Sequence, residues 1–391
     1  MTKRIAFVIP TLDQSGAEKQ LALLATHLPP EEFSCRVIVL TRGGPYESLL
    51  RAAGIDVRIL GKRFKFDPWA YRKLRRELIE FQPEIIHTWL FAANTYGRYA
   101  AGAVPAAKVI VSERCVDSWK AGWQKWFDRR LIGRTDRLVG NSPSVVDFYR
   151  ELGVPEEKLV DIPNGIELPD DKPASSSERS LWRKELGFPE DAFVVGYVGR
   201  IAPQKSVRDL IWAVETLRQI RPQCRLVIAG DGPERPRLER FVQSIHAENH
   251  VRFLGHVSQP AVVYSQLDTF CLASRFEGMS NSLLEAMSWG LPCVASQIPP
   301  NAALVEHGQT GLLFRPGDAV AIMQALRTLI DEPPTGQAFG QAARQHIATR
   351  WTVGAMTQQW INLYRQVLRQ HPASEDGDFG AESFGAMPES E

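Results

Sequence analysis

Short, nearly continuous apolar runs alternate along this chain with longer segments of helical period. Ile5–Ile9, Arg36–Leu40, Glu84–Thr88, Val109–Ser112 and Leu138–Gly140 form one series. Val194–Gly199, Arg225–Gly230, Val251–Leu254, Thr269–Ala273 and Pro292–Ala295 form a second. A strand without a polar face is covered on both sides, as in a parallel sheet flanked by helices. The alternation therefore predicts doubly wound α/β sheets, and its repetition predicts two of them. Pro163–Ser177, rich in Pro, Asp and Ser, carries no period and reads as the connection. The expected division is an N-terminal domain over 1–165, a linker over 166–190 and a C-terminal domain over 191–355. Residues 356–370 regain a helical period, with Trp360, Leu363, Tyr364, Val367 and Leu368 on one side. The tail 371–391 is acidic and bears Gly and Ser, a composition that predicts disorder.

The length of 391 residues agrees with two domains. The five cysteines are scattered and form no CxxC pair, which points to reduced thiols and against a disulfide framework or zinc site. A formal net charge of +1 gives no reason to expect nucleic acid as a partner. That balance hides a local excess: Arg51–Arg137 holds 18 Lys and Arg against 9 Asp and Glu. The start Lys3–Ile9 is charged and then apolar, but short and closed by Pro10, so it reads as a strand and not a leader. No run approaches the ~18 apolar residues of a membrane span. The expected location is the cytoplasm, with any membrane contact peripheral.

Three motifs sit where the strands of each series end. Arg275-Phe-Glu-Gly-Met-Ser-Asn-Ser-Leu-Leu-Glu-Ala-Met287 runs from a strand into a helix. A helix start offers free N–H groups and partial positive charge, which suits a sugar hydroxyl or phosphate. Gly199-Arg-Ile-Ala-Pro-Gln-Lys205 places two cations at the carboxyl end of a strand, where open α/β sheets bind ligands. Asp13-Gln-Ser-Gly-Ala-Glu18 follows the first strand, and Gly16 there permits close backbone approach. The G-x-G-x-x-G loop of nicotinamide-binding folds is absent. Taken singly, each motif could equally be a capped helix, a pair of surface cations or an ordinary loop.

Together, Glu-Gly-x-x-Asn-x-x-x-Glu-Ala-Met, the Gly-Arg…Lys pair and Ser-Gly-Ala-Glu resemble the retaining glycosyltransferases of sequence family 4. That resemblance covers roughly residues 3–370. It implies the GT-B fold, with two Rossmann-like doubly wound parallel-sheet domains facing a central cleft and the last helix crossing back to the first domain. It implies catalytic roles for Arg200, Lys205 and Glu277, the cations neutralising the leaving diphosphate. Donor contacts would come from Gly16, Gly199, Arg200, Lys205, Gly230, Glu277, Gly278, Met279, Ser280, Asn281 and Glu285, with Glu285 accepting hydrogen bonds from the ribose diol. The chain departs from the pattern at Ser206, which stands for a glycine after Lys205, and at Ser15. In Val111-Ser-Glu-Arg-Cys115, Arg114 takes the place of a histidine found in many members. Glu113 and Arg114 are candidates for binding the acceptor or the donor, or for a local salt bridge. His87 is a candidate acceptor ligand or a satisfied strand-end histidine.

The implied reaction moves a hexose or N-acetylhexosamine from a nucleotide-diphosphate sugar, UDP foremost, to a glycan or lipid-linked acceptor. No cofactor is expected. No metal is expected either, because Asp170-Asp171, the nearest acidic pair, lies in the linker and His246/His250 lack a third ligand. A non-catalytic sugar-nucleotide-binding relative and a nucleotide-sugar epimerase of the same fold are the alternatives. Lys62–Lys65, Arg72–Arg76 and Lys125–Arg130, interspersed with Trp69, Trp119, Trp123 and Trp126, make an anionic membrane surface a further expected partner.

Overall fold

A computed structural model describes residues 2–116, 120–170 and 174–369. Trp119, Asp171 and the tail 371–391 lie outside these residues. Seven parallel strands form the first sheet: β1 (Lys3–Thr11), β2 (Phe33–Arg42), β3 (Asp56–Ile59), β4 (Ile85–Trp89), β5 (Lys108–Glu113), β6 (Arg137–Gly140) and β7 (Leu159–Asp161). Six form the second: β8 (Phe193–Val198), β9 (Cys224–Ala229), β10 (Val251–Gly255), β11 (Thr269–Leu272), β12 (Cys293–Ser296) and β13 (Gly311–Phe314). The orders are β3-β2-β1-β4-β5-β6-β7 and β10-β9-β8-β11-β12-β13. Both sheets are doubly wound, and each reverses direction beside its first strand. The short edge strands β3 and β7 escaped the reading of apolar runs, since each keeps one side open to water and is only partly buried.

The apolar runs bury for the reason their pattern implied. In β1 the side chains Ile5, Phe7 and Ile9 join one core, and Ala6 and Val8 join another on the opposite face. The first core is roofed by the helix Gly16–His27 and by the helix Val353–Arg369. The latter contributes Met356, Trp360, Ile361, Leu363, Tyr364 and Val367, all buried. The chain therefore returns to its first sheet after completing its second. A helix at Ser176–Glu185 opens on a capping box formed by Ser175 and Glu178. Trp182 on this helix packs on the second core. Among the described residues no helix is long and apolar enough to cross a membrane.

Buried charge in the first domain is paired throughout one network. Arg98 Nη2 donates to Asp128 Oδ1 at 2.8 Å, and Lys120 Nζ lies 3.0 Å from Asp128 Oδ2 and 3.4 Å from Glu113 Oε1. Lys120 also donates to the Tyr149 hydroxyl at 2.6 Å. Such groups stay charged inside a domain only with partners at this range.

Candidate active site

A cleft of about 680 Å³ opens where the carboxyl ends of the two sheets face one another. That size falls in the range of small-ligand sites. Its C-terminal wall is made by the loops after β8, β9 and β11 and by the start of the helix Asn281–Ser288. Gly230 follows β9 with φ at +145°, and a Cβ there would stand 1.9 Å from the Gly199 carbonyl oxygen. Only glycine lets these two strand ends meet. Ser206, after Lys205, holds the left-handed conformation with φ +47° and ψ +37°. The expected departure of this turn is thus one of side chain, because the serine adopts a backbone that glycine favours. Its hydroxyl accepts from Arg275 Nε at 3.0 Å.

The helix Asn281–Ser288 is started by Ser280, whose hydroxyl accepts from Leu283 N at 3.3 Å. Asn281 and Ser282, in its first turn, line the cleft. Glu277, just before it, is nearly buried and pairs with Lys205. Glu285, just over one turn along, has both carboxylate oxygens engaged: Oε1 with Lys19 Nζ at 2.5 Å and Oε2 with the Tyr264 hydroxyl at 2.8 Å. Burial and the nearby Glu285 charge keep the Tyr264 phenol protonated far above its ordinary range. Arg200 lines the cleft with an exposed guanidinium.

The N-terminal wall carries Gln14, Ser15, Gly16 and Lys19, with Arg114 and Asn141 behind. Asn281 ties the two walls. Its Nδ2 donates to the Gly16 carbonyl at 3.0 Å, and its Oδ1 accepts from Gln20 at 3.2 Å and from Asn164 at 2.7 Å. Gln14 Nε2 reaches the Val257 and Ser258 carbonyls at 3.1 Å. Gly278 packs so closely that a Cβ would lie 2.3 Å from the Arg114 carbonyl oxygen. Met279 Sδ and its carbonyl receive Asn164 N and Nδ2 at 3.3 and 3.2 Å.

The cleft thus brings together Gly16, Gly199, Arg200, Lys205, Gly230, Glu277, Met279, Ser280, Asn281, Glu285 and Arg114, with Gly278 beneath. Two candidates are not among them. His87, mid-strand in β4, is fully buried between Tyr364 Oη and Ser112 Oγ, each 2.8 Å from a ring nitrogen. Burial and the Arg114 charge hold it neutral, well below its ordinary pKa. The reading of His87 as an acceptor ligand is corrected: both of its nitrogens are spent inside the core. Glu113 belongs to the Lys120 network and accepts from Asn94 Nδ2 at 2.9 Å. It is the salt-bridge alternative, and not a cleft residue, that holds. Arg114 stacks 3.9 Å above the Trp89 ring and donates to Asn164 Oδ1 at 3.2 Å. Burial lowers its pKa to about 9, so it remains a cation at neutral pH. Lys19, Tyr264, Asn141 and Asn164 were not singled out from sequence. Asn141 and Asn164 sit in Gly-Asn-Ser and Pro-Asn-Gly turns at strand ends, a signal that loop position could have supplied.

Residues 178–346 match the family of glycosyl transferases group 1, and residues 14–169 match glycosyltransferase family 4. The chain is a GT-B glycosyltransferase of the family 4 type. Among similar proteins is the N-acetyl-alpha-D-glucosaminyl L-malate synthase of Bacillus anthracis, 25% identical over 238 residues, which are 61% of this glycosyltransferase and 61% of that relative. The match therefore spans less than two thirds of the synthase. Another is the lipopolysaccharide core biosynthesis glycosyltransferase LpsD of Rhizobium meliloti, 27% identical over 75% of this chain and 78% of LpsD. Among solved structures, Anabaena HepE in complex with UDP and glucose superposes with a TM-score of 0.83 at 23% identity, covering 93% of this chain and all of HepE. The last likeness concerns the fold alone.

Proposed function

We propose that this glycosyltransferase is retaining and metal-independent, moving a hexose or N-acetylhexosamine from a UDP-sugar to a glycan or lipid-linked acceptor. The observation that carries the reading is the single cleft that gathers Arg200, Lys205, Glu277 and Glu285 around a helix N-terminus. Glu285 receives the ribose diol on the acceptor capacity its two oxygens keep beside Lys19 and Tyr264, since a carboxylate offers about four lone-pair sites. Arg200 and Lys205 neutralise the diphosphate as the glycosidic bond breaks. Glu277, held against Lys205, is positioned at the donor sugar. The acceptor hydroxyl attacks from the face the diphosphate leaves, and a phosphate oxygen takes its proton. The N-terminal wall excludes water, the competing nucleophile. HepE, solved with UDP and glucose, supports a UDP-sugar in a cleft of this architecture.

The test is a thermal-shift panel of nucleotide sugars followed by transfer assays with the best donor, run with and without EDTA. A ligand at 100 times its Kd should add about 2.7 kcal/mol of stability. Transfer with retained anomeric configuration, unaffected by EDTA, is the expected result. Activity abolished by EDTA and restored by manganese would overturn metal independence. Full-speed conversion of donor without acceptor would identify an epimerase, and donor binding without turnover a non-catalytic relative.

A further inference from the structure

Residues 62–76 and the helix Gly122–Arg130 share one outer face of the first domain, and none of them lines the cleft. Two features of this face coincide. It is apolar where a soluble surface is usually polar: Phe64, Phe66, Trp69 and Trp126 are 68%, 62%, 69% and 57% exposed. It is also strongly cationic. Residues 62–76 hold seven Lys and Arg and one acid, Asp67, while 122–130 hold three and one acid, Asp128.

Neither acid faces outward. The Asp67 carboxylate turns in to cap the helix Pro68–Phe81, accepting from Arg63 N, Trp69 N and Ala70 N at 2.9, 3.0 and 3.1 Å. Asp128 is buried between Arg98 and Lys120. The outward charge of these two stretches is therefore positive, and the acids that follow on the first helix, Glu77 and Glu80, are both paired with Arg36.

The rings pack on one another by their edges. Phe66 and Trp123 meet at 64°, and Trp126 and Phe127 at 82°. They leave a groove of about 390 Å³ lined by Phe66, Phe91, Trp123 and Phe127, with Lys62 and Lys65 at its rim. Two of the ring faces are already covered by cations, Lys65 standing 3.9 Å over Trp123 and Arg72 4.9 Å over Trp69. A stacking platform for nucleobases needs open ring faces. An apolar knob collared by cations instead matches the interfacial layer of a bilayer, where rings enter among acyl chains and ammonium and guanidinium groups meet lipid phosphates.

We propose that this face seats on an anionic lipid bilayer. Phe64, Phe66 and Trp126 enter the headgroup layer, and Lys65, Arg72, Arg76 and Arg130 contact lipid phosphate. Phe91, in the groove, lies two residues after Trp89, whose ring carries Arg114 at the cleft. Seating would bring the mouth of the cleft close to the lipid surface.

Flotation of the full chain with phosphatidylcholine vesicles, and with mixed phosphatidylcholine and phosphatidylglycerol vesicles, tests this. Binding should require phosphatidylglycerol and fall steeply from low to high salt. Arg72→Ala with Arg76→Ala should weaken it about 30-fold. Phe66→Ser with Trp126→Ser should abolish the blue shift of tryptophan emission on vesicle addition. Both double variants should keep the parent melting temperature and UDP affinity, so a failure here is separable from a failure of the cleft assignment. The proposal is overturned by no flotation at low salt on anionic vesicles, by parental flotation of both variants, or by capture of a single-stranded oligonucleotide with vesicles left unbound.

Discussion

The two walls of the cleft are built on different plans. The C-terminal wall is made of backbone turns and one helix start, each set by residues close together in sequence. Gly230 and Ser206 stand in left-handed conformations beside the cations and carboxylates they position. The N-terminal wall rests on a knot of large buried rings from distant segments. Its Trp89, His87, Trp360 and Tyr364 come from β4 and from the last helix, with His87 and Trp360 centroids 4.5 Å apart. One wall is a local motif, and the other is a tertiary assembly. The difference explains why eleven adjacent residues could announce the first while the second needed the fold.

Four measurements separate the two walls. The largest effect should come from Trp360→Ala, which removes a fully buried ring from the knot and should destabilise the first domain by about 3–5 kcal/mol. Calorimetry should then show an early transition for that domain and an unshifted one for the second. Equal shifts of all heat absorption would mean that the halves unfold as one unit. Next come Arg200→Ala and Lys205→Ala, each expected to slow transfer by about 30- to 1,000-fold, or roughly 2–4 kcal/mol in the barrier. Melting should be unchanged in the first and lowered in the second, which strips the buried Glu277 carboxylate of its cation. Parental kcat in both, measured by single-turnover transfer, would remove the phosphate role.

Glu285→Gln should weaken UDP binding by about 1.5–3 kcal/mol in isothermal titration. Lys19 is left unpaired in that variant, so Lys19→Met belongs beside it as a control. Unchanged UDP affinity in the glutamine variant would reduce Glu285 to a bridge between the walls. The smallest effect concerns the ring knot and pH. His87 is neutral when folded, and its pKa is depressed, so the unfolded chain takes up the proton first. Stability from this group is whole above its ordinary pKa of about 6.5 and is lost below it, by up to about 1.4 kcal/mol per pH unit. The difference between the parent and His87→Asn, followed by denaturant melts from pH 7 to pH 5, isolates the histidine. Parallel pH curves would show that His87 carries a proton when folded.

Much of the molecule was legible without the fold. Ten apolar runs announced ten of the strands, because a strand covered on both faces has no polar side to disguise it. Candidates in the C-terminal half reached the cleft because glycine, helix start and charge are fixed by neighbours in sequence. His87 and Glu113 did not, and no local signal marks whether a polar residue on a buried strand will point to a ligand or to a partner in the core. Ser112, Tyr364 and Lys120, which decide the matter, lie up to 277 positions away.

The return of the last helix to the first sheet has a consequence in the order of synthesis. The first sheet is complete when β7 emerges from the ribosome, but its roof at Val353–Arg369 follows about 190 residues later. At bacterial and eukaryotic elongation rates that interval is roughly 10–40 s. Throughout it the seats of Trp360, Leu363 and Tyr364 are open apolar surface on a nascent chain. The second domain has time to fold first, and the enzyme closes its older half last. Chaperones that hold nascent chains should therefore dwell on the N-terminal sheet, and release should coincide with the appearance of the final helix.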